Sequence, residues 1–203
     1  MMSFVQRGNL PRQARHVLLG EGYRALLDAP LRRMGLEPVY VPPNPRVDER
    51  LSSHVDLSVF LCGGRELILA PYLEGSETEK RLAALGADIR YAAAPQSETY
   101  PQDAGMNACT MGGTLLYCPR SCDAQIKARR SLYGRLVPCR QGYTKCSVLP
   151  ISENDLITAD DGIAAAAREQ GIEVLKLRPG FVDLPGYTCG FIGGAAFMAG
   201  ERQ

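Results

Sequence analysis

The chain has 203 residues, of which 45% are hydrophobic and 22% charged, with a formal net charge of +1. That composition suits one soluble globular domain spanning residues 1–203 and excludes a strongly basic nucleic-acid binder. No apolar run approaches the ~20 residues of a membrane span, and the opening "MMSFVQRGNLPRQARH" has no apolar leader core. Seven cysteines without an export signal fit reduced thiols in the cytoplasm.

In chain order, "SFVQRG" and "HVLLGEG" read as an N-terminal hairpin. "YRALLDAPLRRMG" then reads as a helix over residues 22–34, closed by Gly35 and followed by the strand "LEPVYVPP". "VDLSVFLCGGRELILAP" is an apolar run, a tight turn and a second apolar run, which is a hairpin signal. The same succession returns three times. A helix over 77–85, with Ser76 or Thr78 as cap and Gly86 as stop, leads to "ADIRYAAAP" and the hairpin "AGMNACTMGGTLLYCP". A helix over 123–132, closed by Gly134, leads to "RLVPCRQG" and the hairpin "TKCSVLPISENDLITAD". A helix over 161–170, with Asp160 or Asp161 as cap and Gly171 as stop, leads to "IEVLKLRPG" and a last hairpin, "YTCGFIGGAAFMAG". "KARR", Lys127 to Arg130, fans around its helix and reads as a solvated face. "CPRSC", Cys118 to Cys122, lacks the second ligand pair of a zinc knuckle.

The pattern predicts an α/β fold of four complete helix–β–β–β units plus a partial N-terminal unit, with a period of roughly 40 to 50 residues. Units of this kind repeated around a pseudo-symmetry axis give an α/β propeller. The apolar C-terminal end then needs cover, which closure onto the N-terminal hairpin supplies.

With "SSHVDL", "QGYTKCSV", "ENDLITADDGIA" and "LPGYTCGFIGG" added to this repeat, the chain resembles the pentein fold of guanidino-group modifying enzymes. More narrowly, it resembles an uncharacterised bacterial family with that fold. The resemblance implies a cysteine-dependent hydrolase or amidinotransferase acting on a guanidinium or amidine group of a small molecule. The implied thiolate attacks the guanidinium carbon, a histidine of a His-x-Asp motif moves protons, and carboxylates hold the cation. His54 and Asp56 match that motif. Aligning the hairpins on their turns puts His54, Asp103 and Tyr143 at equivalent places, and Cys146 where Leu57 and Met106 fall. Cys146 is the favoured nucleophile, with the late Cys189 as the other candidate. Asp56 and Asp103 would bind the cation, and Asn107 and Tyr143 would add hydrogen bonds. Asp28, Asp48 and Glu49 precede the histidine, where the family's carboxylates usually lie, but are less well placed. No metal or organic cofactor is expected, and neither is a nucleic acid or membrane partner; a homo-oligomer is compatible.

Each of these residues also has a bland explanation. Cys62, Cys109, Cys118 and Cys139 sit among apolar residues and read as small buried hydrophobes. Cys146 and Cys189 fit the same description, although Lys145 beside Cys146 would favour its thiolate if both faced one side. His54 and Asp56 fit a loop before a strand, Asp103 fits a turn, and His16 an exposed strand end. The alternative reading is therefore a catalytically inactive binding module of the same fold.

Overall fold

The computed structural model describes residues 8–201. β1 (His16–Gly20) leads through α1 (Arg24–Arg33) to β2 (Glu37–Val41), which pairs with β1 in parallel. Three further sheets share one plan. β3 (Val59–Gly63) and β4 (Glu66–Leu69) form an antiparallel hairpin, α2 (Glu77–Ala84) crosses over, and β5 (Asp88–Tyr91) returns parallel to β4. β6 (Cys109–Met111), β7 (Thr114–Tyr117), α3 (Ala124–Ala128) and β8 (Arg135–Pro138) repeat it. After a short helix, α4 (Thr144–Ser147), so do β9 (Val148–Pro150), β10 (Asp155–Thr158), α5 (Asp161–Glu169) and β11 (Glu173–Lys176). A last short helix, α6 (Ile192–Ala195), lies near the C-terminus.

The fold is thus α/β, built of small sheets, but the unit boundary moves. Each strand after a helix pairs with the hairpin before that helix. The repeat is hairpin–helix–strand rather than helix–strand–hairpin, because a crossover helix returns the chain to the strand it has just left. The helices begin and end for local reasons. Ser76 Oγ accepts from Glu79 N–H at 3.1 Å, and Asp160 Oδ1 from Ile163 N–H at 2.7 Å. Thr78 is no cap; its hydroxyl donates to Tyr40 O at 2.7 Å and ties α2 to β2. Gly35, Gly86 and Gly171 end their helices at φ of 78°, 89° and 71°. Gly134 does not. A 3-10 turn at Arg130–Leu132 already ends that helix, so no left-handed residue is required.

Apolar clusters join each sheet to the next. Val39 and Val41 of β2 pack with Leu67, Leu69 and Leu82; Phe60 and Ile68 with Leu115 and Ile126; Leu116 and Val137 with Val148, Leu156 and Ile163. Arg129 departs from the solvated face expected of "KARR". Its side chain is 15% exposed and its guanidinium meets Glu66 Oε1 at 2.6 Å, which ties the C-terminal end of α3 to the start of β4.

The two ends differ from expectation. "HVLLG" pairs with β2 instead of forming a hairpin, and most of its expected partner, "SFVQRG", lies outside the described residues; Gly8 bridges Met111. "YTCGFIGGAAFMAG" is no hairpin either. Its glycines fold into α6, where a Cβ on Gly193 would stand 2.2 Å from the carbonyl oxygens of both Lys145 and Val148. Only glycine lets that backbone approach so closely. Beyond α6, Gln13 and Gly200 form an antiparallel bridge, with Ala14 N–H donating to Ala199 O at 2.7 Å. The last described residues therefore run beside the segment that leads into β1. Among the described residues no helix is long and apolar enough to cross a membrane.

Candidate active site

Three connections converge on one point. The first is the segment between β2 and β3. Leu51 and Leu57 are buried and pin two successive 3-10 turns, Glu49–Leu51 and Val55–Leu57, which leaves His54 and Asp56 half-buried between them. Gly20, at the end of β1, abuts this segment so closely that a Cβ would lie 1.9 Å from Ser53 O. The second connection carries Asp103 and Asn107 into β6. The third is α4, which carries Cys146.

Asn107 joins them. Its backbone carbonyl accepts from Thr144 N–H at 3.1 Å and Lys145 N–H at 3.3 Å, and its Oδ1 from Cys146 N–H at 3.0 Å. Its Nδ2 donates to Asp56 O at 3.1 Å and to Cys146 Sγ at 3.3 Å. One side chain thus holds the first turn of α4 and the turn bearing Asp56 together. Cys146 Sγ in turn donates to Asp56 Oδ2 at 3.0 Å. His54, Asp56 and Cys146 each offer a ligating atom, and all three atoms lie within 4.8 Å of one another. This sulfur, nitrogen and oxygen set could hold a divalent ion such as zinc, provided the thiol gave up its proton.

The electrostatics oppose a resting thiolate. Cys146 is 3% exposed. Burial pushes its thiol well above the usual range, the Asp56 carboxylate pushes it further, and Lys145 and Asn107 only partly offset them. The neighbouring lysine lowers the thiol, as its position in sequence suggested, but less than burial and Asp56 raise it. Cys146 lies on a helical turn, not a strand, so consecutive side chains diverge by about 100°. Lys145 Nζ donates instead to Gly193 O at 2.9 Å.

Asp103 is buried, accepts at Oδ2 from the Tyr143 hydroxyl, and has no partner for Oδ1 among the described residues. Burial first, and Asp103 second, hold the Tyr143 phenol far above its ordinary range. The Tyr143 ring lies between those of Tyr100 and Phe191, at 5.7 and 6.1 Å. His54 Nε2 is also buried without a hydrogen-bond partner among the described residues, and the Tyr23 ring stands 6.4 Å from its own.

The structure therefore joins Asp56, Asn107 and Cys146 by hydrogen bonds, brings a ligating atom of His54 within 4.8 Å of those of Asp56 and Cys146, and ties Asp103 to the start of α4 through Tyr143. Cys189 is not part of the group; it is half-exposed in the segment between β11 and α6. Asp28 and Asp48 are engaged elsewhere, with Arg32 and Arg50. His16 lies 3.3 Å from Glu37 rather than standing free at a strand end. Cys62, Cys109, Cys118, Cys122 and Cys139 are buried and all seven cysteines are free. Sequence reasoning missed Tyr23, in the 3-10 turn that runs into α1, and Gln96 and Tyr100, which lie in the connection between β5 and β6. Two clefts open elsewhere: one of about 430 Å³ between the hairpin tips at Gly63–Gly64 and Gly112–Gly113, and one of about 190 Å³ beside Asn44, Tyr72 and Gln96. Neither is lined by Cys146, which is buried, while His54 and Asp56 are half-buried.

Two solved structures share this arrangement of chain. One is an amidinotransferase from Microseira wollei in the saxitoxin biosynthetic pathway, 12% identical, with a TM-score of 0.50 over 84% of this chain and 62% of that one. The other is a dimethylarginine dimethylaminohydrolase variant captured as an adduct with S-methyl-L-thiocitrulline, 16% identical, with a TM-score of 0.52 over 81% of this chain and 77% of that one. The chain thus spans less than two thirds of the amidinotransferase's length. No curated protein sequence matches it. At these identities the likeness is one of fold: the small α/β sheets of this chain are arranged like those of the two enzymes. The chain belongs to the family of unknown function DUF6873, whose model matches residues 22–203.

Proposed function

We propose that the protein is a cysteine-dependent enzyme that acts on the guanidinium or amidinium group of a small molecule, with its sheets set around a pseudo-symmetry axis that brings the three connections together. The observation that carries this reading is the hydrogen bond from Cys146 Sγ to Asp56 Oδ2 at 3.0 Å, with a His54 donor atom within 4.8 Å of both. A planar cation seated on Asp56 would take over the carboxylate that now holds the thiol proton. That pairing cancels the charge which raises the thiol, and it directs the cation's carbon toward the sulfur. His54 would accept the thiol proton, the sulfur would bond to the amidinium carbon, and the leaving amine would depart with the proton from His54. Water attacking the resulting S-amidino adduct would give hydrolysis and restore the thiol. An amine attacking it would give transfer.

The depth of Cys146 favours a second reading, a binding module in which the same group only holds a cation or closes the fold. Chloroacetamidine and chloroacetamide separate the two. The reagents differ chiefly in charge, and half-exposed Cys189 serves as an internal reference for their intrinsic reactivity. In the enzyme reading, the amidine labels Cys146 about 10- to 100-fold faster than the amide after normalisation, the equivalent of one hydrogen bond to a charged group. Equal normalised rates, read by peptide mass spectrometry, would leave only the binding module.

A further inference from the structure

We infer that Gln96 is a positioning residue that sets the separation of Asp56 and Asp103, and so selects a planar cation able to bridge them; this rests on the reading of the site as an amidinium-binding thiol centre. Gln96 lies between β5 and β6 and is 7% exposed. Its Nε2 donates to Leu57 O and to Asp103 O, both at 2.6 Å. Leu57 follows Asp56 directly, so a single amide group bridges the two turns that carry the carboxylates. Both of its protons are used, and its oxygen accepts from Asn44 Nδ2 at 2.7 Å.

Asn44 fixes which way that amide points. Its Oδ1 accepts from Arg46 N–H at 2.9 Å, and its own backbone N–H donates to Ser52 O at 2.8 Å. With Oδ1 engaged, the group facing Gln96 is an amide nitrogen. A flipped Gln96 would set its own nitrogen against that donor and its oxygen against two carbonyls. The orientation is therefore determined by the network. Asn107 holds the turn of Asp56 from the thiol side, and Gln96 holds it from the side of Asp103.

The consequence is chemical. Asp56 Oδ2 already receives the thiol, and Asp103 Oδ1 is buried without a partner among the described residues. A cation with N–H groups on two edges would satisfy both where the separation held by Gln96 matches its width. Gln96 itself lines the 190 Å³ cleft behind the turns, so its side chain can be altered from a face that touches neither Cys146 nor His54.

Two variants of similar shape test this. Gln96→Met removes the amide. Gln96→Glu keeps the outline and the acceptor for Asn44 but removes both donors. Tyr72→Phe, on the same cleft, removes a hydroxyl bonded to Pro42 O and Ser58 Oγ and serves as the control for general loosening. The first readout is the ratio of amidine to amide labelling at Cys146, normalised to Cys189. Both Gln96 variants should lose about tenfold of that ratio, as is usual when a buried outer partner of a site is removed, with the amide rate within about twofold of the parent, and Tyr72→Phe should keep the ratio. Retention of the ratio in Gln96→Glu, or an equal loss in Tyr72→Phe, overturns the inference. The second readout does not depend on cation binding: the pH midpoint of Cys146 labelling by the neutral amide. Withdrawal of Asp56 from the sulfur should lower that midpoint in both Gln96 variants and leave it in place in Tyr72→Phe. If the parent shows no amidine preference, the enzyme reading falls on the first readout and the second alone decides the role of Gln96; an unmoved midpoint then overturns that role as well.

Discussion

Cys109 and Cys146 are both buried, and they differ in everything else. Cys109 lies in β6 among Met111, Leu116, Val137 and Val148, and the partners of its sulfur are Asn9 Nδ2 and Thr110 O, each at 3.9 Å. Cys146 has a carboxylate at 3.0 Å, an amide at 3.3 Å and an imidazole within 4.8 Å. Burial pushes both thiols up, Cys109 to about 12. Burial alone therefore says nothing about reactivity. Burial is the largest cause for both; what separates them is that the Asp56 carboxylate, the second cause at Cys146, also hydrogen-bonds its sulfur and can be neutralised by a cation.

The largest expected effect concerns what the two regions share. Cys62, Cys109, Cys122 and Cys139 are each pushed up to about 12, and Cys146 is also raised, all by burial first. An unfolded thiol ionises near ~8.5. Above that pH the unfolded chain binds fewer protons than the folded one, so the unfolding free energy falls with pH. The contribution is fully present below about 8.5 and is lost as pH rises toward 12, at up to about 1.4 kcal/mol per thiol per pH unit. Thermal unfolding at pH 7.5, 9 and 10 should show a steep decline in Tm, shallower in Cys109→Ala. A flat profile would mean that the thiols are not buried as described.

Next in size is Leu116→Ala. This side chain is fully buried beside Cys109, and its truncation should cost about 2–5 kcal/mol by denaturant titration. The amidine preference of Cys146 should be unchanged under conditions where the variant is still folded. Loss of that preference would erase the distinction between sheet core and site. Asp56→Asn should do the reverse, with a smaller effect on stability. The amidine-to-amide ratio at Cys146 should fall about 10- to 100-fold. Because Asp56 raises the thiol, its neutralisation lowers it, so chloroacetamide should label Cys146 faster at pH 8 than in the parent. Opposite movement of the two reagents is the sharpest signature of the arrangement; a parallel fall in both would point to simple unfolding of α4.

Much of the sheet region was legible because its signals are local. Ser76 and Asp160 cap the helices they precede, and Gly35, Gly86 and Gly171 supply the left-handed stops. Three apolar runs broken by tight turns became hairpins. The pairing of each later strand was not legible, since the period is the same whether a strand joins the hairpin before it or after it. The C-terminal segment misled for a different reason. Its glycines resemble a hairpin turn, but they serve the close approach of α6 to α4, a tertiary fact with no periodic trace. At the site, equivalence of the hairpins suggested that His54, Asp103, Tyr143 and Cys146 lie near one another. Gln96 and Asn44 left no signal, because a buried amide is defined by carbonyls distant in sequence.

The smallest effect on stability is expected at His54, where the chemistry should still respond. The side chain caps no helix, its Nε2 has no hydrogen-bond partner among the described residues, and it is only half-buried. His54→Ala should therefore cost no more than about 1 kcal/mol. If the ring is only filling, the labelling of Cys146 should be untouched. If it accepts the thiol proton once a cation occupies Asp56, its loss removes the base at the step where the sulfur must become anionic. Amidine labelling should then slow by about 100-fold or more, the usual contribution of a positioned base. Chloroacetamide brings no charge to Asp56 and reaches only thiolate formed by ordinary ionisation, so its rate should stay within about twofold. Thermal unfolding, run beside the two labelling rates over pH 6–9, separates these outcomes. A large loss of Tm with both rates reduced would show a packing role. An unchanged amidine rate in a folded variant would remove His54 from the chemistry and leave Asp56, Asn107 and Lys145 acting on Cys146.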